Sequence, residues 1–197
     1  MSAVLQQTRY TAEEYLSLER RSTSIKSEFH DGQIYAMTGA SREHNLISGN
    51  IYRELSQQLK SRPCEAYINE MRVKATEARS YHYPDIAVVC GKPEFEDAQV
   101  DTLLNPMLLI EVLSPSTEAY DRGGKFAHYR KIPSLREYLL VMQDQPGIER
   151  YLRQGEVWIL SETLGLEASL ALESIDCRLS LREVYDKVFE DNAGGEG

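Results

Sequence analysis

The chain has 197 residues, 42% of them hydrophobic and 27% charged. That is enough for one well-buried core and excludes the composition of a disordered chain. No apolar run reaches the roughly 18 to 20 residues that span a bilayer, and the start MSAVLQQTRY lacks a basic-then-apolar signal layout, so the expectation is a cytoplasmic protein with no membrane partner. A formal net charge of −9 excludes a uniformly basic surface but leaves room for a local basic face, because acid is concentrated in Glu94, Glu96, Asp97 and Asp101 and in Glu183, Asp186, Glu190, Asp191 and Glu196.

Thr11 and Glu14 have capping-box spacing ahead of Tyr15, Leu16 and Leu18, which predicts a short amphipathic helix. Asp31-Gly32 inside SEFHDGQIYAM predicts a tight hairpin. From Ser41 a longer helix is expected, with Leu46, Ile47, Ile51, Leu55 and Leu59 on one side and Pro63 beyond its end. Residues 66–75 alternate Met71, Val73 and Ala75 against Arg72 and Lys74, the period of a half-exposed strand. A hairpin through the polar turn TEARS then leads to HYPDIAVVC, where Pro84 should open a strand and Ile86 to Cys90 should run through the middle of a sheet.

MLLIEVLSPST reads as a second buried strand, ended by a Ser/Pro turn. Residues 118–131 fit a helix whose start is complicated by Gly123-Gly124, and REYLLVM after it completes a strand-helix-strand unit of the kind that joins parallel strands. A hairpin with Gln154-Gly155 at its tip follows. Ser180 and Glu183 then suggest the cap of a last helix containing Val184, Tyr185 and Val188. The domain expectation is one unit over residues 1–190 and a disordered tail over 191–197. Cys64, Cys90 and Cys177 are far apart and fit no Cys-x-x-Cys pattern, so three thiols are expected rather than a disulfide framework or a zinc knuckle.

Glu111 is the most informative position. An ionisable group among Leu108, Leu109, Ile110, Val112 and Leu113 carries a desolvation cost that something must offset. Strand alternation sets Ile110 and Val112 on one face and Leu109, Glu111 and Leu113 on the other. Asp85, at the start of the other apolar strand, is the obvious neighbour, and two close carboxylates repel unless a proton or a cation bridges them. A hard divalent cation suits such oxygen ligands, and phosphodiester hydrolysis is a natural use of the site. On this reading Glu111 faces Asp85 without a cationic partner of its own.

Pro84-Asp85 followed by Glu111 in an apolar strand resembles the PD-(D/E)xK nuclease signature, although the position two residues after the second acid is Leu113 rather than lysine. The wider layout, YTAEEYLSLE, SEFHDGQIYAM, His44, PDIAVV, EVLSPST, DRGGKFAHYRK and EYLLV, resembles the Uma-type family of restriction-endonuclease-like proteins over roughly residues 10 to 155. The resemblance implies an α/β fold with a mixed sheet, a restriction-endonuclease-like core, flanking helices and extra hairpins. It also implies a metal-dependent endonuclease hydrolysing phosphodiester bonds in nucleic acid, DNA first, as a homodimer.

Carried over, Asp85 and Glu111 hold Mg2+ or Mn2+ with the Val112 carbonyl, and Lys125, displaced to the next helix, positions or polarises the attacking water. Glu28 and His44 fall at family-like positions, Glu28 as a further ligand and His44 as a water or phosphate contact. Each has a structural alternative: a buried ion pair for Glu111, a strand-start bond for Asp85, a solvated helix lysine for Lys125, and local polar contacts for Glu28 and His44. His30, His82 and His128 lack metal-ligand spacing and are expected to be surface or packed residues. The rival function is a nuclease-fold domain that binds nucleic acid or protein without cleaving.

Overall fold

The protein is described from a computed structural model that covers residues 9–75 and 79–189, so the expected disordered tail lies outside the described residues. The first part of the chain builds a small sheet under a helix. Helix α1 (Ala12–Arg21) starts with the full capping box, the Thr11 side chain taking the Glu14 N–H while Glu14 returns to the Thr11 N–H. Strands β1 (Ser27–His30) and β2 (Gln33–Ala36) meet through Asp31-Gly32, both at positive φ (53° and 80°), where glycine is at ease and aspartate is tolerated. With β4 (Arg72–Ala75), β5 (Ser80–His82) and β7 (Thr102–Leu103) they form a five-stranded sheet ordered β2-β1-β5-β4-β7.

The second sheet has six strands ordered β11-β10-β9-β8-β6-β3: β3 (Cys64–Ile68), β6 (Ile86–Cys90), β8 (Leu108–Val112), β9 (Glu137–Val141), β10 (Gly147–Gln154) and β11 (Val157–Leu164). As expected, the helical crossover leaves β8 and β9 parallel, and the last two strands form the predicted hairpin. One face of this sheet (Ile86, Val88, Leu108, Ile110, Val112, Leu139 and Val141) packs on helix α2 (Arg42–Leu59) through Ile47, Ile51, Leu55 and Leu59. Burial of each such side chain is worth about 2 kcal/mol. The other face (Ala87, Val89, Leu109, Leu113, Tyr138 and Leu140) meets Val73 and Leu103 of the small sheet and Tyr129, Ile132 and Leu135 of the crossover.

Three expectations are corrected, and one element is added. Residues 66–75 are not one strand: Asn69 at φ 58° turns the chain out of the large sheet, and Arg72 is buried, bonded to Thr102, Tyr83 and Asp101. Cys64 and Cys90 are not separate thiols, since they face each other in the β3–β6 register and form a disulfide, while Cys177 is free and buried. The last helix, α5 (Leu181–Val184), has four residues and no side-chain cap from Ser180; Tyr185 and Val188 pack in the turn beyond it. Ahead of it lies a hairpin that periodicity did not reveal, β12 (Ser169–Leu172) and β13 (Cys177–Ser180), closing the α2 side of the core.

Candidate active site

Two strand pairs do the same thing in the two sheets. In β1–β5, Phe29 pairs with Tyr81, and both pack toward α1 with Tyr15. The next pair along is therefore Glu28 opposite His82, on the reverse face. In β6–β8, Ile86 pairs with Ile110 toward α2, so Asp85 stands opposite Glu111 on the reverse face. The Asp85 side chain closes this end: its Oδ2 accepts the Val112 N–H at 2.7 Å and lies 3.1 Å from His44 Nε2. His44 is presented from the first turn of α2, whose N-cap Ser41 takes the His44 N–H.

Lys125 joins the two strand pairs through Glu28 and Glu111. The crossover helix begins as α3 (Glu118–Tyr120), widens into a π-helical turn (Asp121–Lys125) at Gly123-Gly124, and resumes as α4 (Phe126–Tyr129). The extra residue of a π turn re-aims the side chains after it. Lys125 Nζ sits 2.9 Å from Glu111 Oε1, 3.0 Å from Glu28 Oε1 and 3.5 Å from Asp121 Oδ1, and it is buried with all three. The Tyr129 hydroxyl donates to the same Glu111 oxygen at 3.0 Å. Glu111 is therefore not without a cationic partner, which overturns that part of the sequence reading. Leu113, where the PD-(D/E)xK pattern has lysine, is a core residue.

One cation among three buried acids sets the electrostatics. Burial alone would lower the Lys125 pKa, but Glu111, Glu28 and Asp121 outweigh it and hold the ammonium well above its ordinary value. Burial raises Glu111 well above the usual carboxylate range; Lys125 opposes this, while Asp121, Asp85 and Glu28 add to it. Asp121 is raised for the same first reason, with Lys125 opposing. Glu28 goes the other way: burial raises it, yet Lys125, the His82 hydrogen bond and the Tyr83 N–H together bring it far below.

All five sequence-derived positions, Glu28, His44, Asp85, Glu111 and Lys125, thus meet at one place, Lys125 engaging Glu28 and Glu111 while His44 engages Asp85. Asp121, Tyr129, His82 and His128 also belong there and were missed. Asp121 and Tyr129 stand four residues either side of Lys125, a helical spacing that was a usable signal. His82 was legible only through the β1–β5 register.

The described residues include no group of three or more His, Cys, Asp or Glu side chains suited to a metal. Asp85 Oδ1 and Glu111 Oε2 have no hydrogen-bond partner among the described residues, the other oxygen of each being engaged. Two carboxylate oxygens fit a largely hydrated Mg2+ and not a cation that needs a full protein cage. Both Glu28 oxygens are taken up, one by Lys125 and the Tyr83 N–H and the other by His82.

Residues 12–182 match the Uma2 family, described as "putative restriction endonuclease". The chain belongs to the Uma2 family. Two Synechocystis relatives, the uncharacterized proteins sll1609 and slr1290, are 40% and 38% identical, over 81% and 88% of this chain and 90% of each of theirs. The crystal structure of a putative nuclease belonging to DUF820 from Anabaena variabilis superposes with a TM-score of 0.76, covering 91% of this chain and 99% of that one at 20% identity. At that identity the likeness shows the fold alone, a mixed α/β architecture. Family membership supports a nuclease-like function. No helix among the described residues is long and apolar enough to cross a membrane.

Proposed function

We propose that this Uma2 protein is a Mg2+- or Mn2+-dependent endonuclease that hydrolyses phosphodiester bonds in DNA. The observation that carries the reading is Lys125 Nζ at 2.9 Å from Glu111, whose strand neighbour Asp85 offers a second carboxylate at the same edge. When bound by Asp85 and Glu111, the divalent cation would lower the pKa of its water and offset charge on the phosphate. Lys125 stays protonated at neutral pH, so it does not act as a base. Its positive charge would stabilise the attacking oxygen and the negative charge that grows on phosphate while the new P–O bond forms, the bond to the leaving oxygen breaks and the water's proton passes to solvent. Glu28 and Asp121 fix the lysine from behind, and His44 fixes Asp85.

The test is incubation of supercoiled plasmid and labelled oligonucleotides with the protein, with Mg2+, with Mn2+ and with chelator. Metal-dependent cleavage that Asp85→Ala and Lys125→Met each abolish is expected. Metal-independent cleavage, or wild-type rates in Asp85→Ala, would refute the site. Saturable DNA binding without cleavage in any metal would favour the non-cleaving domain instead. The proposal includes a homodimer, since cutting both strands takes two sites or two successive events; sedimentation equilibrium measures this.

A further inference from the structure

Glu28 is gripped from two sides. Its Oε1 takes Lys125 Nζ and the Tyr83 N–H, while its Oε2 lies 3.2 Å from His82 Nδ1. The contacts continue outward, because His82 Nε2 lies 3.2 Å from His128 Nδ1. His82 is fully buried, and its ring is nearly coplanar with that of His128, 19° apart with centroids at 5.4 Å, as an in-plane N–H···N bond requires. The Tyr129 ring stands edge-on to it at 5.3 Å. None of this is needed merely to fill space, where an apolar ring would avoid the cost of burying two nitrogens.

We infer that His82 and His128 form a one-directional hydrogen-bond chain that positions the Glu28 carboxylate on Lys125, and through it the lysine for the reaction proposed above, on which this role rests. The direction follows from valence. The Glu28 carboxylate can only accept, so His82 Nδ1 must carry the hydrogen. A neutral imidazole has one N–H, so His82 Nε2 accepts, and His128 Nδ1 must be the donor that reaches it. One tautomer of each ring satisfies every contact, and any other choice leaves two donors or two acceptors facing each other. Burial supports the neutral form: it depresses His82 to about 4 against the opposing pull of the Glu28 hydrogen bond, and it lowers His128, helped by His30. His82 and His128 are positioning residues, since among the described residues no hydrogen bond or ion pair joins either of them to Asp85 or Glu111.

Nitrogen-15 NMR of the metal-free full chain at pH 7 tests the chain without reference to activity. His82 should be protonated at Nδ1 alone, with a scalar coupling across the bond from His128 Nδ1 to His82 Nε2, and His128→Phe should abolish the coupling. The Lys125 ammonium protons should exchange slowly in wild type and fast in His82→Phe. A His82 that carries its proton on Nε2, or no coupling with both rings assigned, overturns the inference whether or not the protein cleaves DNA. In the cleavage assay His82→Phe should lower kcat by about tenfold or more, since small misplacements of catalytic groups are costly. KM should stay within about twofold, as no substrate contact is lost. His82→Asn, whose amide nitrogen replaces Nδ1 as donor to Glu28, should recover most of the loss; Asn no better than Phe would overturn the positioning role. A wild type that cleaves nothing sinks the nuclease reading, and the NMR result then decides the chain by itself.

Discussion

At the scale of single residues, the site is an arithmetic of charge. Glu28, Glu111 and Asp121 surround Lys125, so the acids outnumber the cation. Removing one acid does not strand the lysine. Glu111→Gln should therefore change metal-free stability by less than about 1 kcal/mol, far below the roughly 3 to 5 kcal/mol of a broken isolated pair. The gain on adding Mg2+, about 2.7 kcal/mol at a hundredfold excess over Kd, should vanish in it as in Asp85→Ala. Urea melts with chelator and with Mg2+ measure both, and an undiminished Mg2+ response would remove Glu111 from the metal site. Removing the cation is different: Lys125→Met leaves three buried carboxylates and should cost about 3 to 5 kcal/mol at pH 7. Glu28, held below its ordinary 4.5, contributes stability that is present above that value and lost as pH falls through its folded pKa. Glu111 and Asp121, raised above 4.5 and 3.8, contribute stability that is complete below those values and lost as pH rises through their folded pKa values. Without Lys125 each of the three loses an influence that lowers its pKa, so the mutant's deficit should shrink as pH falls from 7 toward 4. An equal deficit at both ends would assign it to lost packing.

At the scale of elements, what could be read from the sequence was whatever local chemistry decides. The Thr11 cap, the start of the long helix at Ser41, the Asp31-Gly32 turn and the apolar runs around Glu111 and Asp85 each carry their cause within a few residues. What could not be read depends on partners distant in the chain. Asn69 looks like one more polar residue until the two sheets exist to be turned between, and Arg72 looks solvent-facing until Thr102 and Tyr83 arrive. Strand alternation pointed to Glu111 and Asp85, and the family pattern supplied Lys125, Glu28 and His44; His82 needed a register that only folding reveals. The π turn is the element that matters most, because it brings Lys125 inward. Gly124 makes it possible: a Cβ there would lie 2.5 Å from Tyr120 Cε2, and that ring is already stacked on His30 with centroids 5.0 Å apart. Gly124→Ala should cost about 1 to 3 kcal/mol as an overpacked contact. Gly123→Ala meets nothing within 4 Å and should cost less. Thermal melts of the two variants compare them, and equal losses would mean that helix regularity rather than the Tyr120 contact is being disturbed.

At the scale of the whole molecule, the acidic charge is partly spent on holding the two sheets and α1 together. Asp97 and Asp101 take Arg20, Asp101 also takes Arg72, and Glu96 takes Lys74, so the acidic loop that β7 sits in is a structural clamp. The other long-range tie is covalent. The Cys64–Cys90 bond closes 26 residues of chain between the edge strand β3 and β6, the strand that Asp85 precedes. In the chain-entropy account a loop of that size stabilises the fold by about 3.5 kcal/mol through the unfolded state. For a chain of this length that is a fall in Tm of roughly 7 to 14 °C on reduction. Cys90 lies at the opposite end of β6 from Asp85, about 16 Å away at strand rise, so the site itself should be little changed. Reductant, or the double substitution Cys64→Ser and Cys90→Ser, should lower Tm by that amount while the Mg2+ response at 25 °C persists. An unchanged Tm would show that the bond does not constrain the fold. A lost Mg2+ response would mean that β3 and β6 hold Asp85 only when joined, and the metal site would then be open only to the oxidised protein.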